Sequence, residues 1–499
     1  MMKYPQGAND DAMTDNLKQQ TAKGIFWGGI SNLVMQGLNL IIGIILARKL
    51  MPADYGMVGL LLIFSSVAGA IQESGFTAAL VNRKTINHDD YNAVFWFNVL
   101  IGLCLYVLLF FCAPLIAQFF HLPALTDLAR FSFLSIVLSS LGVAHNAMLI
   151  KRLRVKQNVM VQMTSLVLSG AIGVFMAYRG MAYWGLATQT LTYVAGVMIG
   201  RWIFSGWHPT FTINFRPLRS MLAFSLKMLA SNLVTQLNNN ILTIILGRCY
   251  NEREVGHFNQ ANKWSYMGSY SLQAMVNGVA QPVLKEVEGD PSRQQRIFRK
   301  MLRFTAFVSM PCMFGLSLVA PELIVIAITE KWAASAALLQ VICIGSAFLP
   351  VQNLMYNLIV SKGRSDLCLW LTIAYGVVQT VVGIVCSRYG IPTMVWAYAI
   401  VNVVWVWVWG VFVKREMQLR FVQLLYDVLP FSVIAAAAML LAAAVASLAD
   451  GLWLVLAIKV AVMAAFYLLC LYLLKAKVLN ECFDQLRLMI RKKKQTAAC

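Results

Sequence analysis

Two stretches of the chain, 200 positions apart, decide its fold. They read SNLVMQGLNLIIGIILARKLMPADYG at 31–56 and SNLVTQLNNNILTIILGRCYNEREVG at 231–256. Twelve of the 26 aligned positions are identical, and both stretches place amide side chains inside an apolar segment. A repeated block of this length indicates internal duplication, and paired halves around a central site are typical of secondary transporters. We therefore expect two homologous halves.

The composition is that of a membrane protein. The 499 residues are 59% hydrophobic and 12% charged, whereas soluble domains carry about 25% charged residues. A bilayer core needs roughly 20 apolar residues per helix, so the sequence predicts an all-α integral membrane protein with about 14 transmembrane helices. These segments are 22–47, 55–82, 91–117, 124–150, 157–178, 181–204, 219–247, 255–284, 299–320, 333–360, 366–387, 391–413, 422–447 and 451–474.

The duplication groups these segments into two six-helix lobes and two additional helices. A weaker echo supports the grouping, because Gly180 and Gly390 open the sixth and twelfth segments 210 positions apart. The predicted organisation is a cytoplasmic N-terminal tail (1–21), a first lobe (22–204), a cytoplasmic inter-lobe linker (205–218), a second lobe (219–413), two additional transmembrane helices (414–474) and a basic cytoplasmic tail (475–499).

The net charge of +20 follows the membrane topology. With a cytoplasmic N-terminus, cytoplasmic segments hold 30 of the Lys and Arg residues and external segments hold 8. This is the positive-inside bias, and an even number of spans returns the C-terminus to the cytoplasm. The basic tail therefore fits anionic lipid better than nucleic acid, and we expect no nucleic-acid partner.

Amide side chains repeat on one face of the two duplicated helices. Asn32, Gln36 and Asn39 follow i, i+4, i+7 spacing in the first copy, which puts them on one face. The second copy repeats this face with Asn232, Gln236, Asn239 and Asn240. Unsatisfied amides in hydrocarbon cost roughly 2–7 kcal/mol, so they either bond neighbouring helices or line a hydrated cavity. Their recurrence in both copies favours a cavity wall.

Isolated charges inside predicted spans are further candidates. Lys263 and Lys227 lie in the eighth and seventh spans, where an amine either faces a cavity or an anion, or extends to the membrane surface. Glu73 in the second span is either an ion-coupling carboxylate or the partner of a base such as Arg83. Lys459 in the last span either lines a lipid groove or extends to the surface.

Two arginines close the first and seventh spans at equivalent positions, Arg48 and Arg248. A guanidinium group suits bidentate phosphate contact, although arginine at a helix end is also a common membrane-surface anchor. The sequence contains no Walker loop, HExxH motif or GxSxG motif, and its five histidines do not cluster at metal-binding spacing. An enzyme and an ATP-driven pump are therefore disfavoured, and no metal or catalytic residue is predicted.

Several short stretches resemble one transporter family. They are LK at 17–18, GIFW at 24–27, ARKLMPADYG at 47–56, ESGF at 73–76, ALV at 79–81, FWFN at 95–98, VGHFNQANK at 255–263, PEL at 321–323, EKW at 330–332 and KGRSD at 362–366. With these stretches the chain resembles the polysaccharide transporter family of the multidrug/oligosaccharidyl-lipid/polysaccharide exporter superfamily, the bacterial O-antigen and capsule flippases. The branch it resembles includes the colanic acid and teichuronic acid exporters.

The resemblance implies a fold and a function. It implies two six-helix lobes around a cationic cavity, two C-terminal helices, and export of undecaprenyl-pyrophosphate-linked oligosaccharide across the bacterial cytoplasmic membrane. Lys263 is then the best cavity base and Lys227 a weaker one. The implied partners are the lipid-linked substrate, the bilayer and possible polysaccharide polymerase and export machinery. The chain needs no cofactor, and coupling to an H⁺ or Na⁺ gradient is expected.

Three other functions stay open at this point. A drug/cation antiporter of the same superfamily would have twelve spans and acidic residues in its lobes. A membrane glycosyltransferase or polymerase would need catalytic residues in a sizeable external loop, which the sequence does not contain. A non-transporting scaffold of a polysaccharide assembly complex is distinguished only by a transport assay.

Overall fold

The computed structural model describes residues 34–73, 80, 86–212, 214–219, 222–287, 289–476 and 478–479, and over these residues the chain is almost entirely helical, without β-strands. Asn32 and the terminal tails lie outside the described residues. The helices are α1 (34–49), α2 (Pro52–Glu73), α3 (His88–Phe119), α4 (Leu125–Ser132), α5 (Leu134–Ser140), α6 (Val143–Lys151), α7 (Val155–Tyr178), α8 (Ala182–Ser205), α9 (Leu222–Cys249), α10 (Glu252–Glu286), α11 (Pro291–Ile328), α12 (Ala333–Ser346), α13 (Leu349–Ser361), α14 (Ser365–Cys386), α15 (Ile391–Met417), α16 (Phe421–Ala446) and α17 (Leu452–Leu473).

The apolar helices confirm a multi-pass membrane fold. In the part of the chain that the structure describes, nine helical segments are long and apolar enough to cross a bilayer. A tenth forms if the helix pair Leu125–Ser140 and Val143–Lys151, bent by 41°, is counted as one broken span. Each of the 14 predicted segments overlaps helix, but the number of membrane crossings stays a prediction.

Three of the four duplicated helices, α1, α9 and α10, are not among these nine. Among the described residues, α1, α8, α9 and α10 overlap predicted spans and are too short or too polar to qualify. A membrane helix with many amides and hydroxyls needs polar neighbours or water on part of its surface. These helices are therefore where a hydrated surface is expected.

The chain divides into two compact units. The first comprises Met1–Asn240 with Tyr250–Gly256, and the second comprises Ile241–Cys249 with His257–Cys499. The predicted lobe boundaries at 204 and 219 refer to membrane topology, and they stay a prediction. Both units consist of helices that pack on one another through apolar side chains.

The duplication is visible in the backbone at an offset of 200. α1 and α9 both end before a two-residue break, and α2 and α10 then begin at Pro52 and Glu252. One turn into each helix is a glycine, Gly56 or Gly256. A Cβ on Gly56 would lie 2.6 Å from the carbonyl carbon of Glu252, and a Cβ on Gly256 would lie 2.6 Å from that of Pro52. The helix starts thus cross reciprocally, and only glycine fits at either point.

The weaker echo at an offset of 210 also has a structural counterpart. The turn after α6 is closed by hydrogen bonds from the Leu153 and Arg154 amides to the Ile150 and Leu149 carbonyls. The turn after α13 has the same two bonds 210 positions later. The amides of Gly363 and Arg364 donate to the carbonyls of Val360 and Ile359, respectively. Both turns need a left-handed residue, and φ is 52° at Leu153 and 74° at Gly363.

The predicted inter-lobe linker packs on the start of α3. The Trp96 indole donates to the Thr210 carbonyl at 2.7 Å, and the Asn92 amide donates to the Thr212 carbonyl at 2.7 Å. Trp207 is buried, and its indole donates to Nδ1 of His88 at 3.0 Å. The linker is therefore packed against α3 by hydrogen bonds to its backbone and by aromatic contacts.

The two C-terminal helices are tied to α11 by buried charges. Arg299 of α11 donates to both carboxylate oxygens of Asp427 of α16, at 2.6 and 3.1 Å. Lys459 of α17 donates to Glu322 of α11 at 2.7 Å and to the Leu318 carbonyl at 3.1 Å. The expectation that Lys459 extends to the surface is wrong, because its amine pairs with the buried Glu322 carboxylate. Breaking such a pair costs about 3–5 kcal/mol. The expected place of Lys459 beside a lipid groove stays a prediction.

Candidate functional site

A pocket in the first unit collects part of the duplicated amide face. It has a volume of about 340 Å³ and is lined by Ser66, Gly69 and Ala70 of α2 and by Asn232 and Gln236 of α9. The three α2 residues are small, so they leave space, while the two amides supply donors and acceptors. A space of this size can hold several waters or one polar group of a ligand.

The second-copy amides divide between this pocket and the helix itself. Asn232 and Gln236 are half-buried and come together in the pocket because they are four residues apart. Asn240 donates to the Gln236 carbonyl at 2.9 Å, which satisfies its amide within α9. Asn239 is exposed. The predicted stripe therefore provides two pocket-lining amides.

The described first-copy amides, Gln36 and Asn39, do not line this pocket. Gln36 is half-buried in α1, and Asn39 is exposed and donates to the Met35 carbonyl at 3.0 Å. The Asn39 bond runs back four residues along its own helix, as does the bond of Asn240. Asn32 lies outside the described residues, so its role as a cavity residue stays a prediction.

The predicted basic residues occupy different parts of the chain. Lys263 is an exposed residue of α10 in the second unit, and no described carboxylate forms an ion pair with it. Arg48 and Arg248 are exposed at the ends of α1 and α9, at equivalent positions. The side chain of Lys227 falls outside the described residues, so its assignment as a cavity base stays a prediction.

The predicted coupling residue, Glu73, is the last residue of α2, and its side chain also falls outside the described residues. Its counterpart 200 positions later is Gln273 of α10, which cannot ionise. Any proton or cation function at this position would therefore belong to the first copy alone. Among the described residues, no group of three His, Cys, Asp or Glu side chains could hold a metal ion.

Sequence reasoning missed a second polar surface, on α10. Tyr266 and Tyr270 are exposed and stack with ring centroids 5.2 Å apart. Two turns further along, the Oδ1 atom of Asn277 accepts the side-chain amides of Asn353 and Asn357, each at 2.8 Å. The spacing of three and four residues between these side chains is visible in the sequence. It does not recur in the first copy, so the duplication does not indicate it.

A family model described as "Polysaccharide biosynthesis protein" matches residues 45–337 of this chain, more than half of its length. The chain belongs to this family. The matched range includes α2, α9 and α10, and with them the pocket, Lys263 and the stacked tyrosines. Membership in the polysaccharide biosynthesis family confirms the resemblance that the short sequence stretches indicated.

Two known proteins are similar to this chain over most of their own length. It is 26% identical over 402 residues to the teichuronic acid biosynthesis protein TuaB of Bacillus subtilis, covering 78% of this chain and 81% of TuaB. It is 24% identical over 358 residues to the lipopolysaccharide biosynthesis protein WzxC of Escherichia coli, covering 70% of this chain and 72% of WzxC. Each match covers more than two thirds of both proteins.

Two solved structures share the fold of this family member. The lipid II flippase MurJ in an inward closed conformation aligns with a TM-score of 0.72 and 14% identity, covering 89% of this chain and 99% of MurJ. An inward-facing multidrug resistance MATE family transporter aligns with a TM-score of 0.64 and 16% identity, covering 77% of this chain and 94% of the transporter. The fold is therefore that of a membrane transporter.

Proposed function

We propose that this chain is a flippase that moves undecaprenyl-pyrophosphate-linked oligosaccharide from the inner to the outer leaflet of the bacterial cytoplasmic membrane. The observation that carries the proposal is the family match over 45–337 in a chain with the fold of a lipid II flippase. The family match supports a role in polysaccharide biosynthesis, and the shared fold supports the transport of a lipid-linked molecule. With the predicted topology, both termini are cytoplasmic.

The proposed mechanism is alternating access. The starts of α2 and α10 meet through Gly56 and Gly256, and the predicted topology places this crossing on the external side. The crossing would close the external side while substrate enters from the cytoplasm, and it would have to separate for release. Two glycines suit such a contact, because backbones that meet without side chains can separate without breaking a packed core.

Each candidate residue has a part in this proposal. Lys263 attracts the pyrophosphate, because an exposed amine with no ion-pair partner among the described residues is suited to a phosphate charge. Lys227, Arg48 and Arg248 are secondary phosphate candidates, and the amides Asn232 and Gln236 hydrate the path. Glu73 is the first candidate for coupling to an H⁺ or Na⁺ gradient. A polysaccharide polymerase is the expected partner that receives the product.

The test is transbilayer transfer by the purified protein in liposomes. A fluorescent undecaprenyl-pyrophosphate oligosaccharide is supplied, and its arrival in the opposite leaflet is measured with and without pH or Na⁺ gradients. We expect protein-dependent transfer that responds to one gradient and that falls at least about tenfold in Lys263→Ala. Normal transfer by Lys263→Ala would remove the pyrophosphate assignment, and absent transfer by the wild-type protein would remove the flippase.

A drug/cation antiporter is the second candidate, because the MATE fold is shared over 77% of this chain. The three described buried carboxylates count against it. Asp90 accepts the Asn87 backbone amide at the start of α3, Asp427 is held by Arg299, and Glu322 is held by Lys459. None of them is placed as an uncompensated negative charge for a cationic drug. Gradient-driven efflux of a cationic dye from the same liposomes, without transfer of the lipid-linked probe, would establish the antiporter instead.

A further inference from the structure

One face of α10 carries a continuous series of polar and aromatic side chains. Its members are Lys263, Tyr266, Tyr270, Gln273 and Asn277, which we call the α10 face. Their spacing of three, four, three and four residues confines them to an arc of roughly 80° on an α-helix. All are exposed except Gln273, which is half-buried, so the face is not consumed by packing against neighbouring helices.

The chemistry of this face does not suit contact with lipid tails. α10 has 35 residues and would extend about 52 Å, more than the roughly 30 Å of the hydrocarbon core. An amine and two amides along one face of such a helix cost several kcal/mol in hydrocarbon. In a multi-pass protein, a face of this kind borders a water-filled cavity, which is where a polar ligand would pass.

The first copy of the duplication supports this orientation independently. The positions equivalent to Tyr266 and Tyr270 are Ser66 and Ala70, and both line the 340 Å³ pocket beside α2. The same helix face therefore borders open space in the first copy, where its residues are small. In the second copy, tyrosines stand at those positions.

The geometry of the face matches a sugar chain attached to a diphosphate. Tyrosine rings present broad apolar surfaces with a hydroxyl at one end, which suits the apolar face and polar rim of a pyranose ring. The Tyr266 and Tyr270 rings stack on each other with their planes inclined by only 28°, which leaves an outer ring face for a sugar. Asn277 is fixed by two amides at 2.8 Å, which orients it as a rigid hydrogen-bonding group. About 21 Å of helix separates Lys263 from Asn277.

We propose that the α10 face is the glycan-binding surface of this transporter. Lys263 pairs with the diphosphate, sugar rings stack on Tyr266 and Tyr270, and Gln273 and Asn277 bond to sugar hydroxyls. This inference rests on the proposed function and adds which part of the substrate is recognised, and by which residues. It makes the tyrosines specific for the glycan, whereas Lys263 serves every diphosphate-linked substrate.

Two probes separate these contributions in a binding experiment. The full-length protein in detergent is titrated with citronellyl diphosphate carrying an N-acetylglucosamine-containing trisaccharide, and with citronellyl diphosphate alone. We expect Tyr266→Leu and Tyr270→Leu to weaken the glycosylated probe by about tenfold each and to leave the bare diphosphate unchanged. Tyr270→Trp, which keeps an aromatic surface, should restore binding, and Lys263→Ala should weaken both probes.

The matched control is Met275→Ala, since Met275 is 60% exposed on the opposite side of α10. It should affect neither probe. Equal weakening of both probes by the tyrosine variants, or no weakening of either, would overturn the inference. So would a wild-type protein that does not prefer the glycosylated probe.

The liposome assay distinguishes this inference from the proposed function. If the wild-type protein transfers the lipid-linked oligosaccharide and Tyr270→Leu does so equally well, the glycan surface is wrong and the flippase stands. If the tyrosines bind the glycosylated probe but the wild-type protein transfers nothing, the surface stands and the flippase is wrong.

Discussion

The two copies of the second duplicated helix, α2 and α10, begin alike and then differ. Both follow a two-residue break, and both carry their glycine at the fifth helical residue, where each meets the backbone at the start of the other helix. Beyond Gly56 and Gly256, side-chain identity almost disappears. Ile63, Ser66 and Ala70 in α2 correspond to Lys263, Tyr266 and Tyr270 in α10.

The difference separates positions that both copies must keep from positions that each copy can change. The glycine crossing is a backbone contact, so a side chain on either helix disrupts both copies, and neither copy can change alone. The pocket face has no such partner, so each copy is free to specialise. α2 is long and apolar enough to cross a bilayer, whereas α10 carries a polar face.

The crossing is where substitution should have the largest effect. Gly56→Val or Gly256→Val would force a branched side chain into a backbone carbonyl, and overpacking of this kind costs about 3 kcal/mol. We expect a large drop in the melting temperature of the purified protein, and equal drops for the two variants because the contact is reciprocal. The melting temperature is measured by heating samples and quantifying the protein that remains folded by size-exclusion chromatography.

The matched control for this prediction is Gly278→Val on α10, where no atom lies within 4 Å of an added Cβ. Its melting temperature should stay close to that of the wild-type protein. If the variants at 56 and 256 melted like this control, the glycine crossing would not hold the two helix starts together.

Converting the second copy into the first should have the next largest effect, and on transport rather than stability. The double variant Tyr266→Ser with Tyr270→Ala gives α10 the side chains of α2 at these positions. We expect transfer of the lipid-linked oligosaccharide to fall at least about tenfold, because two aromatic contacts are lost. The melting temperature should change little, since both tyrosines are exposed. Unchanged transfer would contradict the difference in role between the copies.

The reverse conversion fills the pocket of the first copy. Ser66→Tyr introduces a ring into the space of about 340 Å³ that Asn232 and Gln236 border. We expect transfer to fall several-fold in the liposome assay while the protein remains folded, because the pocket has room for the ring. Leu103→Tyr, at a position of α3 that is 50% exposed, is the control and should transport normally.

The smallest effect concerns the turns that end α6 and α13. Leu153 has φ 52° and Gly363 has φ 74°, so the first copy places a side chain where the second has glycine. A left-handed non-glycine residue costs about 1–2 kcal/mol. Leu153→Gly should therefore stabilise the protein slightly, and Gly363→Leu should destabilise it by a similar amount. Melting temperatures that moved in the opposite directions would show that the turns are not equivalent.

The duplication and the helical membrane fold were predictable from sequence because they rest on local patterns. Apolar length indicates spans, and the identical residues of 31–56 and 231–256 align without gaps. The importance of Gly56 and Gly256 was not predictable from this alignment, although both were identical positions in it. Their importance depends on contacts between residues 196 and 204 positions apart, which a single sequence does not reveal.

The candidate site was predictable only in part, for the same reason. Asn232 and Gln236 were identified because their spacing places them on one helix face, and the structure puts both in a pocket. The pairing of Lys459 with Glu322 was missed because 137 residues separate the two partners. The stacked tyrosines were missed because aromatic residues are common in apolar spans, and only exposure distinguishes a platform from core packing.

The most direct test is photo-cross-linking during transport. Benzoylphenylalanine is placed at position 270 of the α10 face or at position 275 on the opposite side, and liposomes containing each protein are irradiated with a radiolabelled lipid-linked oligosaccharide. We expect a labelled, glycan-containing adduct at 270 and none at 275. Equal labelling of the two positions, or transport without any adduct at 270, would contradict it.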